Sequence, residues 1–526
     1  MKPALPWSVP ALCVAWALSA CGQSRYGEAT CHTGTPLNTE TDRFEIRCFT
    51  PPVFAAPDLP PTDIYTSEDA LRRVPSPRSG EAHVVAAATL PLIDKTIQQE
   101  GFEAMVEVQG TEEPRVLVLI DGDWTLDMLH EHIADETTLA AAGGVYTLKI
   151  PALILGEASL TVSGPDVRSL RLAADQGGLL SNNGRLYVID TEVVGWNTAM
   201  QAPAWFEDKT IFRPYIATWT GSETYLVGSE LSHLGYDKSK SYGVSFSATG
   251  EAVLEQIHNA PAPYHFEVDH AAWPVGWMSH NQMHNNYMAF YSYEAMDTAL
   301  VGNTITDSII YGFDPHDRST RLLMADNHIT GTRERHGLII SREVNHSWIL
   351  RNYLEGNERS GIMLDRSSTN NVVAYNESFD NGTDGIALYE SQDNLIYGNH
   401  VRGNAQSGIL LRNSWNVDVV GNTIESHSRY GLYGYTADLE LDDDAYERDF
   451  ELDPFSMRVS ARADDNTFTG NAQGHVRVDG LEQFCLSNMV MENPQEALFN
   501  GDLKEYDWYA EMVLADGYGV WFEPIE

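Results

Sequence analysis

The sequence predicts an all-β solenoid of the parallel β-helix type, because two ladders of residues recur with one period. A glycine followed by two or three apolar residues returns every 23 to 25 residues, and an asparagine returns in step with it. Short apolar strands at this spacing cannot bury their faces alone, so each coil must stack on the next. The glycines are Gly312, Gly337, Gly361, Gly385, Gly408 and Gly431, with Ala289 in the same place upstream, and the asparagines are Asn303, Asn327, Asn352, Asn376, Asn399 and Asn422.

Other repeat architectures fit this period less well. Leucine-rich repeats need a leucine-asparagine pattern that is absent here, and helical repeats need about 33 residues or more. A parallel β-helix stacks identical positions of successive coils about 4.8 Å apart. The recurring asparagines are therefore interpreted as an internal hydrogen-bonded ladder at a turn, and not as catalytic residues.

The N-terminus has the features of a secretory signal, predicted over residues 1–20. A single charge, Lys2, precedes an apolar run that ends in small residues. The tetrad before Gly22 also resembles a bacterial lipoprotein box, which predicts lipidation of Cys21 and a tether to the outer membrane. An ordinary cleavage site nearby is the alternative. If Cys21 is acylated, Cys31 and Cys48 are free to pair with each other.

The rest of the chain divides by pattern. Trp124 to Ile133 is typical of a short helix that caps the solenoid, and Val145 to Ile150 alternates as a strand does. An acidic run interrupts the repeat and is interpreted as a solvated loop; calcium binding there is an unsupported alternative. The apolar neighbours of Cys485 predict a small core residue. We expect an N-terminal segment over 21–120, a helical cap over 121–140, the β-helix over 141–500 with the acidic insertion 438–453, and a C-terminal segment over 501–526.

The charge limits which partners the chain can bind. It has 33 Lys and Arg against 75 Asp and Glu, a formal net charge of −42. This charge argues against nucleic acid as a partner, because binding phosphates needs a basic face. An anionic substrate must instead meet a local cluster of cations. The stretch from Asp314 to Arg366 has eight arginines against eight acidic residues, which makes it the expected place for an anionic polymer.

Two columns of stacked residues predict an exposed groove. Counted from each repeat glycine, the fourth and fifth residues are ionisable or aromatic and of mixed sign, which a core would reject. The fourth-residue column is Tyr293, His316, Ser341, Asp365, Tyr389 and Arg412, and the fifth-residue column is Glu294, Asp317, Arg342, Arg366, Glu390 and Asn413.

One motif in these columns has the residues of an acid-base site. It places a histidine between two carboxylates and next to Pro315, which restricts the backbone. A neighbouring acid can orient the imidazole, so His316 can act as a general base near neutral pH. A surface loop with ordinary ion pairs is the alternative. The motif reads Asp314-Pro315-His316-Asp317-Arg318-Ser319.

Taken with these residues, the sequence resembles the periplasmic mannuronan 5-epimerases of bacterial alginate biosynthesis, over roughly residues 120 to 500. The resemblance implies a right-handed parallel β-helix that inverts C-5 of D-mannuronate within the polymer and gives L-guluronate. Besides the histidine motif, it rests on Gly221-Ser222-Glu223-Thr224-Tyr225, Ser239-Lys240-Ser241-Tyr242-Gly243, Ser341-Arg342-Glu343-Val344-Asn345 with Ser347-Trp348-Ile349, Asp384-Gly385-Ile386 with Leu388-Tyr389-Glu390-Ser391, and Leu452-Asp453-Pro454-Phe455.

The resemblance also implies roles for individual residues. His316 matches the catalytic base and Arg342 the arginine that neutralises the substrate carboxylate, while Asp314 and Asp317 complete the signature motif. Water has been suggested as the proton donor in that family, and Tyr293 is our own candidate here. The chemistry needs no metal or redox cofactor. The expected substrate-binding residues are Tyr293, Arg318, Asp365, Arg366, Tyr389, Glu390 and Arg412.

Two other functions remain open on the sequence alone. A polyuronate lyase shares the fold and the proton abstraction but then expels the 4-oxygen. A non-catalytic scaffold that guides alginate through the periplasm is the third alternative. In each case we expect a periplasmic protein that binds an anionic polysaccharide, with other alginate export proteins as candidate partners.

Overall fold

The computed structural model winds the chain into a solenoid of three long sheets, which confirms the predicted β-helix. Each sheet has 15 strands, and nearly all neighbouring strands run parallel. Each coil adds one strand to sheet 1, then one to sheet 2 and one to sheet 3. The structure describes residues 43–90, 99–164, 167–205, 208–238, 240–269, 271–441, 448–451, 453–491 and 498–525.

Within each sheet the strands stack in chain order, except that Phe44–Phe49 lies at the C-terminal edge of sheet 1 and Ala202–Pro203 pairs only with Glu192–Asn197 in sheet 2. Sheet 1 contains Phe44–Phe49, Asp123–Thr125, Ser159–Ser163, Arg185–Ile189, Glu223–Val227, Val275–Ser279, Ala299–Val301, Leu323–Ala325, Trp348–Leu350, Val372–Ala374, Leu395–Tyr397, Val417–Val420, Ser460–Asp464, Gln483–Ser487 and Gly519–Pro524. Sheet 2 contains Leu139–Ala142, Val145–Leu148, Ser169–Ala173, Glu192–Asn197, Ala202–Pro203, Glu230–Ser232, Gln282–His284, Thr304–Thr306, His328–Thr330, Tyr353–Glu355, Glu377–Phe379, His400–Arg402, Thr423–Glu425, Thr467–Thr469 and Val490–Met491. Sheet 3 contains Ala82–Ala86, Arg115–Leu119, Pro151–Ile154, Leu179–Asn182, Ile216–Thr218, Gly243–Ser247, Met288–Tyr293, Tyr311–His316, Leu338–Ser341, Ile362–Asp365, Ile386–Tyr389, Ile409–Arg412, Tyr430–Tyr435, Gly474–Asp479 and Phe499–Gly501.

Both ladders have a structural cause. At Gly385 a Cβ would lie 2.0 Å from Cγ1 of Val401 inside the solenoid, so only glycine fits there. The asparagines form the predicted internal ladder, in which Nδ2 of each donates to Oδ1 of the next at 2.9 Å. The ladder continues beyond the predicted set to Asn281 and Asn466. These hydrogen bonds satisfy amides that are buried in the core.

The helices lie at the ends of the solenoid and in its connections. The predicted cap is a helix, but it begins at Leu126, with the Thr125 side chain accepting a hydrogen bond from the Met128 N–H. Trp124 belongs instead to a strand, whose backbone pairs with Leu160. Its ring is buried in the core. The described α-helices are Ser67–Leu71, Gln99–Gln109, Leu126–Ile133, Glu251–His258 and Asp507–Ala515.

The solenoid begins before the expected boundary at residue 141. The strand Arg115–Leu119 already pairs in parallel with Pro151–Ile154 in sheet 3. This first coil carries neither the glycine nor the asparagine of the repeat, so the period does not reveal it. The part of 21–120 that the structure describes is therefore ordered, and its end belongs to the β-helix.

The N-terminal segment spans the length of the solenoid. Phe44–Phe49 pairs antiparallel with Gly519–Pro524 at the C-terminal end, whereas Ala82–Ala86 joins the first coil at the opposite end. Between them, the Phe54 ring stacks on Tyr397 with centroids 6.0 Å apart. These contacts are single and aperiodic, so no sequence pattern indicates them.

Cysteine chemistry differs in one respect from the prediction. Cys485 is fully buried, as its apolar neighbours predict, but it is also disulfide-bonded. Cys48 is disulfide-bonded as well. The predicted signal 1–20, Cys21 and Cys31 lie outside the described residues. Within the described part of the chain, no helix is long and apolar enough to cross a membrane.

Candidate active site

The first predicted column forms as a register on the outer face of sheet 3. Tyr293 pairs with His316, and His316 with Ser341. Because side chains alternate along a strand, these residues face outward while Phe313 and Leu338 fill the core. The column continues through Asp365, Tyr389 and Arg412 to Tyr435.

The second predicted column lies in the turns that follow these strands. Asp317, Arg342 and Arg366 have left-handed backbones, with φ of 34°, 59° and 50°. Each turn is held to the next coil by backbone hydrogen bonds, such as the 3.0 Å bond from the Asp317 N–H to the Ser341 carbonyl. Non-glycine residues rarely adopt this conformation, and here it projects their side chains along the edge of the sheet.

His316, Asp317 and Arg342 are brought together at this edge. Nδ1 of His316 lies 2.5 Å from Oδ2 of Asp317, and Nη1 of Arg342 lies 3.9 Å from Oδ1 of the same carboxylate. The His316 side chain is 21% exposed and that of Arg342 is 44% exposed, so both reach solvent. The imidazole and the guanidinium from adjacent coils can therefore contact one ligand.

Asp317 helps to raise the pKa of the His316 imidazole. Burial opposes the charged form of His316, but the hydrogen bond to Asp317 and the negative charges of Asp314 and Asp317 outweigh it and raise the pKa of His316 above its usual range. Burial likewise opposes the Asp317 carboxylate, yet the hydrogen bond to His316 and the positive charges of His316 and Arg342 lower its pKa. The Nδ1 contact leaves Nε2 as the nitrogen available to a ligand.

Asp314 lies two residues before His316 on the same strand, and it is beside Tyr291 in the register. It is 4% exposed, and its Oδ1 has no hydrogen-bond partner among the described residues. Burial raises the pKa of Asp314 to about 6, against the attraction of His316. Asp314 therefore acts on the site through the charge it presents to His316.

The N-terminal side of the groove is formed by the Tyr293 coil. Arg318 donates from Nε to Oε1 of Glu294 at 2.8 Å and from Nη2 to the Tyr293 hydroxyl at 3.2 Å. The Lys240 ammonium lies 4.0 Å from the centroid of the Tyr293 ring. Lys240 belongs to a connection outside the repeat, so counting from the repeat glycines does not find it.

The C-terminal side of the groove is covered by the acidic insertion. Arg448 donates from Nη1 to Oε2 of Glu390 at 2.8 Å and from Nη2 to Oδ1 of Asp453 at 3.1 Å. Its side chain is 3% exposed, so this part of the insertion packs on the sheet and is not a solvated loop. Residues 442–447, which include the aspartates of the calcium-binding alternative, lie outside the described residues.

The predicted binding residues on this side are mostly engaged with one another. Glu390 is buried and accepts from Nε of Arg412 at 2.9 Å, so it lies beneath the groove and positions arginines there. The Arg412 guanidinium stacks 3.7 Å from the Tyr389 ring centroid. Nε of Arg366 lies 3.5 Å from Asp365 and 3.7 Å from Asp453.

Only some of the arginines between 314 and 366 face this groove. Arg318, Arg342 and Arg366 do, whereas Arg321 pairs with Asp297 and Arg351 with Asp326 outside the groove. The balanced charge of the stretch is therefore spread over several faces of the solenoid.

Among the described residues, no three His, Cys, Asp or Glu side chains are placed to hold a metal ion.

Replacing Arg448 with methionine is expected to lower the free energy of unfolding by about 3 kcal/mol, because breaking a buried ion pair leaves Glu390 with one fewer partner. Urea denaturation and limited proteolysis of the insertion would measure it. The matched control is Arg458→Met, whose exposed pair with Glu482 should contribute about 1 kcal/mol or less. Equal losses in both variants would contradict the buried role of Arg448.

Known proteins resemble this chain both in sequence and in fold. The family model described as "Right handed beta helix region" matches residues 317–444. The mannuronan C5-epimerase of Pseudomonas putida is 36% identical over 417 residues, covering 78% of this chain and 77% of that protein. The mannuronan C5-epimerase AlgG of Azotobacter vinelandii is 36% identical over 455 residues, covering 85% and 83%.

A solved structure agrees with these relatives. The crystal structure of the periplasmic alginate epimerase AlgG is 32% identical, covers 84% of this chain and 100% of its own, and superposes with a TM-score of 0.76. Relatives at this identity and coverage establish the family as well as the right-handed fold. This chain belongs to the mannuronan C5-epimerase family.

Proposed function

We propose that this protein converts D-mannuronate to L-guluronate within alginate, with His316 as the general base and Arg342 as the group that neutralises the substrate carboxylate. The observation that carries the proposal is the contact of both side chains with Asp317, from adjacent coils. This contact supports a proton acceptor and a fixed positive charge that act on one sugar ring.

The chemistry requires a proton acceptor and a positive charge at the substrate carboxylate. The C-5 hydrogen is α to a carboxylate, so its removal adds charge to a group that is already anionic. Arg342 can donate to both oxygens of that carboxylate and stabilise the enolate-like intermediate. His316 accepts the C-5 proton through Nε2, and a proton delivered to the opposite face then inverts the centre.

The donor of that second proton is either water or Tyr293. Tyr293 lies directly beside His316 in the register, and its hydroxyl accepts a hydrogen bond from Arg318. The Lys240 ammonium lies 4.0 Å from the centroid of the same ring. No metal or redox cofactor takes part in the proposed reaction.

Incubation with polymannuronate tests the reaction type. Proton NMR should show guluronate signals that grow with time while the chain length stays constant. New ultraviolet absorbance from unsaturated ends, with shorter chains, would identify a lyase instead. Binding without either change would indicate a scaffold.

The Asp317→Asn variant is expected to shift the pH dependence of kcat/KM to lower pH. A general base must be neutral, so kcat/KM should rise as pH rises through the pKa of His316, which lies above the usual value of about 6.5. The variant removes a negative charge that raises this pKa and leaves only a weaker, neutral hydrogen-bond acceptor, so the midpoint of the rise should fall. Initial rates between about pH 5 and 9 measure it.

The control for this shift is Asp326→Asn, whose carboxylate pairs with Arg351 outside the groove. Its midpoint should equal that of the wild type. An Asp317→Asn profile with an unchanged midpoint would show that Asp317 does not set the protonation of His316.

We infer a periplasmic location from the predicted signal and from the periplasmic relative. A lipid tether at Cys21 is part of this proposal, and radiolabelled palmitate incorporation that is lost in Cys21→Ser would support it.

We also propose that the protein binds other alginate export proteins while it acts on the anionic polymer.

A further inference from the structure

We propose that Lys240 binds the carboxylate of the uronate next to the reacting one, on the side of His316 that faces away from Arg342. This inference rests on the proposed function and names a substrate contact that the reaction itself does not require. It makes Lys240 a determinant of how tightly the polymer binds and of which uronate lies at His316.

Hydrogen bonds and close packing bring together the two ends of the connection that carries Lys240. Arg213 is buried beneath its start and donates to the backbone carbonyls of Leu234 and Gly235 at 3.0 Å. A Cβ at Gly235 would lie 2.2 Å from the Tyr242 backbone, so the two ends of the connection close tightly on each other. Backbone hydrogen bonds within it join Tyr236 to Ser241 at 3.0 Å in the same closed turn.

Aromatic packing then anchors this connection on sheet 3. The Tyr242 ring contacts Tyr291 edge-on at 4.9 Å and stacks on Tyr287 at 5.9 Å. Tyr291 in turn lies 6.0 Å from the His316 ring. The turn that presents Lys240 is thereby tied through one aromatic ring to the catalytic histidine.

The ammonium of Lys240 has a defined place relative to the reacting centre. It lies over the Tyr293 ring, and Tyr293 is in register with His316 one coil away, about 4.8 Å along the solenoid. Arg342 follows Ser341, which is in register with His316 on the other side. His316 is therefore flanked by positive charge on both sides.

This arrangement matches a polymer with one carboxylate on every ring. A pyranose ring has about the length of one coil spacing of about 4.8 Å, so neighbouring uronates meet neighbouring coils. Arg342 serves the carboxylate of the reacting ring, and Lys240 is placed to meet the next one.

Lys240 is partly desolvated, and no carboxylate among the described residues forms an ion pair with it. Burial lowers the pKa of Lys240, and the more distant charges of Glu294 and Asp317 only partly oppose the effect. Its described contact is the face of an aromatic ring, which is a weak partner for a cation. A substrate carboxylate would therefore form a strong charge-assisted hydrogen bond there.

Lys240→Met tests this assignment, with Lys240→Arg as the conservative variant and the exposed Lys504→Met as the matched control. We expect Lys240→Met to weaken binding of polymannuronate about 10-fold or more, as loss of a charged hydrogen bond does. KM should rise while kcat changes less, and Lys240→Arg should recover most of the affinity. Calorimetric titration in a His316→Ala background measures binding without turnover.

A structural role alone would not change the salt dependence of binding. Lys240→Met should give a shallower slope of log affinity against log salt, because fewer counterions are released. An unchanged slope and an unchanged affinity would overturn the assignment, even if the wild type epimerises normally. Equal melting temperatures of the variants would show that they fold, and Lys240→Gln provides a second neutral variant if methionine lowers the melting temperature.

The titration also separates this inference from the proposed function. If the wild type fails to epimerise, the reaction assignment is wrong, whereas the binding titration still tests Lys240. If the wild type epimerises and Lys240→Met binds as the wild type does, only the Lys240 assignment is wrong.

Discussion

Replacing His316 with glutamine is expected to lower kcat by roughly 10² to 10⁴-fold, the range in which a general base contributes. Glutamine keeps a polar side chain of similar size beside Asp317 but cannot accept the C-5 proton. Polymannuronate binding should persist, because the cations of the groove remain. Guluronate formation followed by proton NMR measures the loss.

Solvent exchange supplies a second readout for the same variant. In D₂O the wild type should incorporate deuterium at C-5, and His316→Gln should not. The control is His328→Gln, an exposed histidine on sheet 2 in the neighbouring coil, which should retain full activity. Continued deuterium incorporation by His316→Gln would show that another group abstracts the proton.

Replacing Arg342 with alanine should lower kcat by roughly 10² to 10³-fold, as removal of one group that stabilises developing negative charge does. Arg342→Lys should recover only part of this rate, because a point charge cannot donate to both carboxylate oxygens. Steady-state kinetics on polymannuronate of fixed length would measure both variants.

The control for Arg342 is Arg321→Ala, whose guanidinium is bound to Asp297 at 2.7 Å outside the groove. It should change neither kcat nor KM. A rise in KM with unchanged kcat in Arg342→Ala would mean that Arg342 binds ground state and transition state equally. In that case the enolate-like intermediate would need another cation.

The coil register is predictable because stacking repeats the same requirement in every coil. Gly385 recurs as glycine since a Cβ would enter the core, and Asn352 recurs since each buried amide must bond the next. Positions counted from such residues stay aligned, so the repeat by itself assigns His316 and Arg342 to neighbouring coils. The first coil at 115–119 escapes this prediction because it lacks both the glycine and the asparagine.

The environment of each column residue is not predictable in the same way. Glu390 and Arg342 occupy the same position of the repeat, yet Glu390 is buried under Arg448 while Arg342 reaches solvent. The difference comes from an insertion almost 60 residues further along the chain. Lys240 likewise enters the groove from a connection that has no periodic pattern.

The sequence by itself determined the solenoid, the alignment of its coils and the placement of His316 and Arg342 on adjacent coils, because local repetition propagates through identical backbone hydrogen bonds. Only the tertiary structure decided which ionisable groups are exposed, which are tied to one another, and which aperiodic segments close the groove. The exposure of each group and the closing of the groove depend on contacts between residues far apart in the chain. A single side chain such as Arg448 makes such a contact without any repeat in the sequence that would predict it.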